Sequence, residues 1–312
     1  MRRITIVAAS LSILAACSDA TVGPDPSITA TQSPRSRVTV LPDGRLVAPD
    51  LPGFVEHVRL EKLGSRNAKG ACVVEESEQL SPGQRVAFRI VAFNPKTCGY
   101  TVARGDLTRA KQSAKVLREG AAVYDLVSGQ QTSTSLAAGT EPISAMLVPP
   151  PPTPIPGIPP PPTWPVPPPP PPGYTVRGTS FQDMYAYDPI GLMMNEDYNQ
   201  IAYAWNTGTR CMVSATGYHR TYWLSYDGWY QRYSYAFGQG LSCQSAGGAT
   251  TSGYTNPIFC DLVGYIPGGI TDVDYTSNSI TVHPGYTEFV WFFTYGGGCI
   301  DFLGFAIDRV SG

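Results

Sequence analysis

Residues 218–237 read YHRTYWLSYDGWYQRYSYAF, two aromatic-rich runs on either side of Asp227-Gly228. Large and polar side chains alternate along both runs, a pattern typical of half-buried β-strands. Asp and Gly tolerate the positive φ angles of a two-residue turn. The stretch therefore predicts a β-hairpin in which Tyr226 pairs with Trp229.

Residues 174–312, which contain this stretch, have a distinctive amino-acid composition. They contain no lysine, five arginines, eleven acidic residues and 28 aromatic residues. Helical periodicity is weak, and Gly-rich turns separate the runs. Further strands are predicted at 200–205, 279–283, 288–295 and 302–310. Short strands without an α/β alternation predict an antiparallel β-sandwich over 174–312.

Residues 37–148 predict a small β-rich module of their own. Short runs such as 55–60 and 85–93 alternate and are separated by turn signals such as Pro42-Asp43-Gly44. Apolar residues at helical spacing predict a helix over 107–124, with a loosely ordered segment as the alternative. Residues 127–148 are rich in Ser, Thr and Gly and are expected to extend the linker that follows.

The linker, residues 149–173, holds 17 prolines in 25 positions. Proline fixes φ and lacks a backbone donor, so this stretch predicts polyproline II. A semi-rigid spacer is the favoured interpretation, and a docking motif for aromatic grooves is the alternative. The expected fold is thus mainly β: a small β-rich N-terminal module joined by a polyproline linker to a C-terminal antiparallel β-sandwich.

The N-terminus has the pattern of an export signal. A basic head, Met1-Arg2-Arg3, precedes a short apolar run that ends at Leu14-Ala15-Ala16-Cys17. Residues 1–17 resemble the signal peptide and lipobox of bacterial lipoproteins, with an ordinary signal peptide as the alternative. The resemblance implies acyl chains on Cys17 that bind membrane lipid. Ser18 then favours the outer membrane or cell surface, and residues 18–36 are a flexible tether.

Six cysteines remain once Cys17 is set aside, and an even number in an exported protein indicates disulfides. Two precede the proline stretch, so Cys72–Cys98 follows by elimination. Cys211, Cys243, Cys260 and Cys299 allow three pairings. Cys211–Cys243 with Cys260–Cys299 is favoured, because neighbours in a strand meander often pair.

Charge and composition argue against several functions. A net charge of −2 and a pI of 5.9 do not suit a nucleic-acid partner. With three histidines and no C-x-x-C, we expect neither a metal site nor a cofactor. The acidic runs Asn195-Glu196-Asp197 and Asp272-Val273-Asp274 are interpreted as solvated turns rather than Ca²⁺ ligands.

Catalytic residues are not identified in the sequence. There is no G-x-S-x-G elbow. A Ser-His-acid triad using His219 or His283 stays open, because triad members need not be close in sequence. A carboxylate pair drawn from Glu196, Glu288 and the aspartates is a further open route to glycoside hydrolysis.

The predicted hairpin carries aromatic side chains on both faces, and one of them can be exposed. Flat rings with polar tips suit sugar stacking or protein contact. The alternative is that the tyrosines only fill the core. The candidate ligand-binding residues are Tyr218, Arg220, Tyr222, Trp223, Trp229, Tyr230, Arg232 and Tyr233.

Short blocks resemble an uncharacterised group of secreted bacterial proteins. They are residues 93–98, 102–105, 187–191, 204–205, 228–230 and 259–260, with Cys211 and Cys243. The resemblance implies export and a disulfide-containing β-rich module, and it implies no activity. We expect a membrane-anchored extracytoplasmic lipoprotein that binds a glycan or a cell-surface protein. The alternatives are a secreted hydrolase that uses acidic residues of 174–312, and a structural cell-envelope protein.

Overall fold

A computed structural model of the chain describes seven stretches, all within one compact unit that runs from Val38 to Gly312. The described residues are 39–68, 70–108, 118–127, 131–134, 173–262, 269–297 and 303–312. The predicted signal peptide, Cys17, the tether and linker residues 149–172 lie outside them. No helix in these stretches is both long and apolar enough to cross a membrane.

Strands make up most of the described chain. They are β1 (Leu46–Val47), β2 (Phe54–Leu63), β3 (Ser65–Arg66), β4 (Cys72–Leu80), β5 (Arg85–Phe93), β6 (Gly99–Leu107), β7 (Arg118–Asp125), β8 (Gln131–Thr134), β9 (Thr175–Tyr187), β10 (Met193–Asn206), β11 (Cys211–Trp223), β12 (Tyr230–Leu241), β13 (Ala246–Asn256), β14 (Thr271–His283), β15 (Tyr286–Gly297) and β16 (Gly304–Val310). A 3₁₀ turn covers Ser225–Asp227, and one short helix, α1, covers Phe259–Leu262.

The strands form two antiparallel sheets. The ten-stranded large sheet has the order β2-β6-β5-β16-β9-β10-β11-β7-β8, with β1 paired to β5. The six-stranded small sheet has the order β12-β13-β14-β15-β4-β3. Side chains of both sheets meet in shared apolar clusters, among them Ile307 of the large sheet and Trp291 of the small one. The expected mainly β, antiparallel architecture is confirmed.

The predicted hairpin at 218–237 was wrong, although both of its strands exist. β11 belongs to the large sheet, where β10 and β7 occupy its two edges. β12 belongs to the small sheet and pairs with β13. Because both edges of β11 are already paired, β12 cannot join it. Asp227-Gly228 is instead the end of a connection between the sheets, and Tyr226 is 85% exposed there.

The predicted division into two separately folded modules also needs correction. β4 pairs with β15, β5 with β16, and β7 with β11. Strands from both sides of the proline stretch therefore complete the same two sheets. The change in composition at residue 149 marks a border in the sequence, but the hydrogen-bonded sheets extend across it.

The predicted helix over 107–124 and the predicted linker over 127–148 were both wrong in part. Arg118–Asp125, the end of the predicted helix 107–124, is strand β7, and Leu107 ends β6. Residues 109–117 lie outside the described chain. Gln131–Thr134, expected to be linker, is strand β8 paired with β7. Pairing with β11 outweighs the helical spacing of a sequence with weak local preference.

The cysteine pairing agrees with the sequence analysis where it is described. Disulfides join Cys72 to Cys98 and Cys211 to Cys243. Cys260 is buried and also disulfide-bonded, and Cys299, its predicted partner, lies outside the described residues. Both described bonds close loops within one side of the proline stretch.

Candidate functional site

The Asp197 carboxylate on β10 is fully buried between the sheets. Thr250 Oγ1 and Ser252 Oγ each donate a hydrogen bond to it at 2.6 Å, and Asn278 Nδ2 donates one at 2.9 Å. His219 Nε2 lies 3.2 Å from Oδ2. Burial alone raises the pKa of Asp197, but His219 and the two hydroxyl groups outweigh it, so the pKa lies below its ordinary value.

The polar layer continues from Asp197 to Arg309, still between the sheets. Asn278 Oδ1 accepts a hydrogen bond from Gln182 Nε2 at 2.8 Å, and Gln182 Oε1 accepts one from Arg309 Nε at 2.7 Å. Arg309 Nη1 pairs with Glu78 Oε2 at 3.3 Å. Burial lowers the pKa of Arg309 to about 10, although Glu78 and Glu76 act in the opposite direction. This layer joins the two sheets and does not face solvent.

The prediction that Asn195-Glu196-Asp197 is a solvated turn was wrong. All three residues lie within β10 and are fully buried. Burial is tolerated because other strands supply the hydrogen-bond partners: Tyr275 of β14 donates to Asn195, and Arg220 of the neighbouring β11 pairs with Glu196. A buried carboxylate without such partners would cost several kcal/mol.

The geometry does not support the two catalytic hypotheses that the sequence leaves open, a Ser-His-acid triad and a carboxylate pair. Asp197 stands between His219 and Ser252, whereas a triad needs the histidine between serine and acid. Glu196 and Glu288 belong to different sheets, and each is engaged locally: Glu196 with Arg220, and Glu288 with Gln79. Within the described stretches, no three His, Cys, Asp or Glu side chains gather as a metal site.

The eight predicted binding residues separate into three groups. Trp229 is 1% exposed in the core, and Trp223 packs against the same cluster. Tyr218, Arg220 and Tyr222 share the outer face of the large sheet, the one turned away from the small sheet. The third group, Tyr230, Arg232 and Tyr233, belongs to β12 on the small sheet. The structure therefore does not bring the eight together.

The outer face of the small sheet presents a row of aromatic rings, which we call the aromatic platform: Tyr233, Tyr235 and Phe237. They occupy alternate positions of β12, so they share one face at spacings of about 7 Å. The rings of Tyr233 and Tyr235 are stacked, with centroids 6.0 Å apart and 17° between their planes. Tyr235 is 59% exposed and Phe237 42%. Tyr235 and Phe237 are absent from the sequence-predicted binding residues, although their i, i+2 spacing from Tyr233 places them on the same face of a strand.

A glycine on the neighbouring strand makes room for the Tyr233 ring. The register places Gly253 opposite Tyr233, Thr251 opposite Tyr235 and Ala249 opposite Phe237. A Cβ at Gly253 would collide with the Tyr233 ring. Glycine is therefore required at position 253 for the Tyr233 ring to lie against β13.

Polar side chains border the platform at both ends. At one end Arg232 pairs with Asp274, and the Tyr233 hydroxyl donates to Asp274 Oδ1 at 3.0 Å. Partial burial and this carboxylate raise the pKa of Tyr233, so its hydroxyl keeps its proton. At the other end Gln239 Nε2 donates to Ser279 Oγ at 3.0 Å. Hydrogen-bonding groups thus surround apolar ring faces.

A separate polar cleft of about 350 Å³ lies beside β2 and β4. Its wall includes Lys62, Glu76 and Tyr100. Lys62 is paired with Glu76, and the Tyr100 hydroxyl donates to Glu76 Oε1 at 3.1 Å. These groups satisfy one another, so the cleft is a weaker candidate site than the platform.

The architecture defines an antiparallel β-sandwich with an exposed aromatic strip on its smaller sheet. Comparisons with known protein families, with curated proteins and with solved structures each gave no significant match to this chain.

Proposed function

We propose that this protein is a lipid-anchored extracytoplasmic binding protein that holds a neutral glycan on the aromatic platform. The observation that carries the proposal is the row of aromatic rings Tyr233, Tyr235 and Phe237 along the edge strand of the small sheet, of which Tyr235 and Phe237 are exposed. Exposed aromatic rows on a folded sandwich are costly to leave in water without a partner. Tyrosine and phenylalanine rings supply flat apolar surfaces, and tyrosine adds a polar hydroxyl group at its tip.

A glycan fits this surface better than a protein partner does. Sugar rings have flat apolar faces edged by hydroxyl groups. The platform offers aromatic rings on alternate residues of one strand, two of them with centroids 6.0 Å apart, and polar side chains at both ends. Arg232 is already paired with Asp274 and lies near Asp272, so the border carries no free positive charge for an anionic polymer. A neutral, linear glycan lying along β12 is the expected ligand.

The test is glycan binding by the chain from residue 18 onward, first on an array and then by calorimetry. Tyr235→Ala and Phe237→Ala should each weaken binding by about tenfold, which corresponds to about 1.4 kcal/mol. Tyr226→Ala is the matched control, because Tyr226 is exposed but lies on the turn before β12. Unchanged binding in the two platform variants would refute the site. A protein ligand lost in the same variants would refute the glycan but keep the surface.

Anchoring through Cys17 is proposed from the lipobox resemblance and is tested separately. Cells that express the whole chain are fed a labelled fatty acid, and the wild type is compared with Cys17→Ser. The label should appear on the wild type in the outer-membrane fraction and disappear from the variant. An unlabelled wild type would rule out the anchor without affecting the platform.

A further inference from the structure

The strand β2 lies at one edge of the large sheet and pairs, among the described strands, with β6 alone. Its residues 55–63 are all exposed, so this edge is open to solvent along almost its whole length. Its apolar side chains include Val58, 43% exposed, and Leu60, 44% exposed. A long open edge with exposed apolar side chains is a template for pairing with a strand of another chain.

The backbone hydrogen bonds determine which groups of β2 point to the open edge. The Gly64 amide donates to the Cys98 carbonyl at 2.8 Å and continues the register between β2 and β6. In an antiparallel pair, every second residue directs its N–H and C=O groups to the partner strand. Even-numbered residues of 58–62 therefore face β6, as Gly64 does. The backbone groups of Arg59 and Glu61 point away from the sheet.

The register also assigns the side chains of β2 to the two faces of the sheet. Leu60 lies opposite Val102, which packs in the core between the sheets, so Leu60 is on the inner face. Arg59 and Glu61 are on the outer face, and their side chains are 63% and 73% exposed. An arginine and a glutamate thus flank an apolar residue on the segment whose edge is open.

A second copy of β2 complements this segment when it runs antiparallel about a two-fold axis at Leu60. Arg59 of each copy then lies opposite Glu61 of the other, and the two Leu60 side chains meet. The outward backbone groups match as well, because residues 59 and 61 become the hydrogen-bonded pairs of the new ladder. An axis at Arg59 or at Glu61 would instead place two like charges opposite each other, which is destabilising. The charges therefore favour one register.

A bulge sets the extent of this pairing. The register between β2 and β6 shifts between Glu56 and Val58, and a bulge bends its strand and ends regular pairing. The paired segment is therefore residues 58–62 of each copy. Such a short ladder gives a small interface, so we expect a reversible dimer with a Kd on the order of 10 μM.

We propose that this protein self-associates through β2, with two large sheets joined edge to edge and Leu60 at the two-fold axis. The partner is a second copy of the same chain, recognised by reciprocal Arg59–Glu61 pairs. The aromatic platform belongs to the small sheet, so this pairing leaves it open. A dimer then carries two platforms.

The first test places a cysteine at the two-fold axis of the chain from residue 18 onward. Mild oxidation of Leu60→Cys should give a disulfide-linked dimer, because opposite residues of a non-hydrogen-bonded pair have Cα atoms about 4.5 Å apart. Leu63→Cys is the matched control: Leu63 is 76% exposed on the same strand, but its two copies would lie about 20 Å apart. Equal linking in both variants, or none in Leu60→Cys, would overturn the proposal.

The second test reverses the charges and measures the dimer by sedimentation velocity. Arg59→Glu and Glu61→Arg each place like charges opposite each other and should each raise the Kd at least tenfold. A mixture of the two variants should associate like the wild type, because every pair is again of opposite charge. A wild type that is monomeric at about 1 mM, or a mixture that stays monomeric, would overturn the proposal.

Discussion

The two outer faces of the sandwich both carry tyrosines, yet they differ in exposure. On the small sheet Tyr235 is 59% exposed, and on the large sheet Tyr198 is 7% exposed. Tyr235 lies on an edge strand opposite a small residue, whereas Tyr198 lies on a central strand beneath a cation. A tyrosine-rich sequence therefore does not indicate a binding surface by itself. Whether a tyrosine packs within the fold or is free to contact a ligand depends on the position of its strand in the sheet and on what covers its ring.

The largest expected effect concerns the buried layer between the faces. Asp197→Ala leaves His219, Thr250 and Ser252 without their shared acceptor, and each buried hydrogen-bonding group left without a partner costs about 1–3 kcal/mol. Asp274→Ala, on the exposed side of the small sheet, should cost less than about 1 kcal/mol. Urea unfolding of both variants measures the difference. Equal losses would show that the interior network is not structurally important.

The same carboxylate predicts the direction of the pH dependence. Because the pKa of Asp197 is lower in the folded protein than in the unfolded chain, the folded state binds fewer protons at this site. Its contribution is present above about pH 3.9, the unfolded value, and is lost as the pH falls through the folded pKa. Wild-type stability should fall on acidification through this range, and Asp197→Ala should show a smaller fall. Parallel curves would contradict this assignment.

Truncating one tyrosine on each face tests the contrast directly. Tyr198→Ala should cost about 3 kcal/mol, because it removes a buried ring. Tyr235→Ala should cost less than about 0.5 kcal/mol, because its ring is already in water. Thermal unfolding of the two variants gives the comparison. If the ranking reversed, the assignment of buried and exposed faces would be wrong.

A smaller effect is expected where a glycine accommodates a buried ring. A Cβ at Gly217 would collide with the Tyr124 ring, whereas a Cβ at Gly296 would meet nothing within 4 Å. Gly217→Ala should therefore cost about 1–3 kcal/mol through overpacking, and Gly296→Ala should change stability by less than about 0.5 kcal/mol. Denaturant unfolding of the pair is the measurement, and a tolerated Gly217→Ala would argue against close packing around Tyr124.

Local signals in the sequence predicted most strands and both described disulfides. Alternation identified runs such as 85–93 and 279–283, because side-chain periodicity is a local property. Counting cysteines on each side of the proline stretch gave Cys72–Cys98, since both partners lie near one another along the chain.

The errors in strand pairing and in burial concern partners that are distant in the sequence. Asp227-Gly228 is suited to a tight turn, but the pairing of β11 with β7, about a hundred residues earlier, leaves no edge for β12. The burial of Asp197 depends on hydroxyl groups of β13 and an amide of β14. No local pattern contains that information.

The exposure of Tyr235 on the platform is the property that most directly tests the proposed binding site. Tyr235 and Tyr198 can be followed in one sample by radical labelling, with and without the neutral glycan that binds best on the array. We predict that Tyr235 is reactive alone and becomes protected by the glycan, while Tyr198 stays unreactive in both states. Reactivity of Tyr235 that the bound glycan leaves unchanged would contradict the assignment of this surface as the binding site.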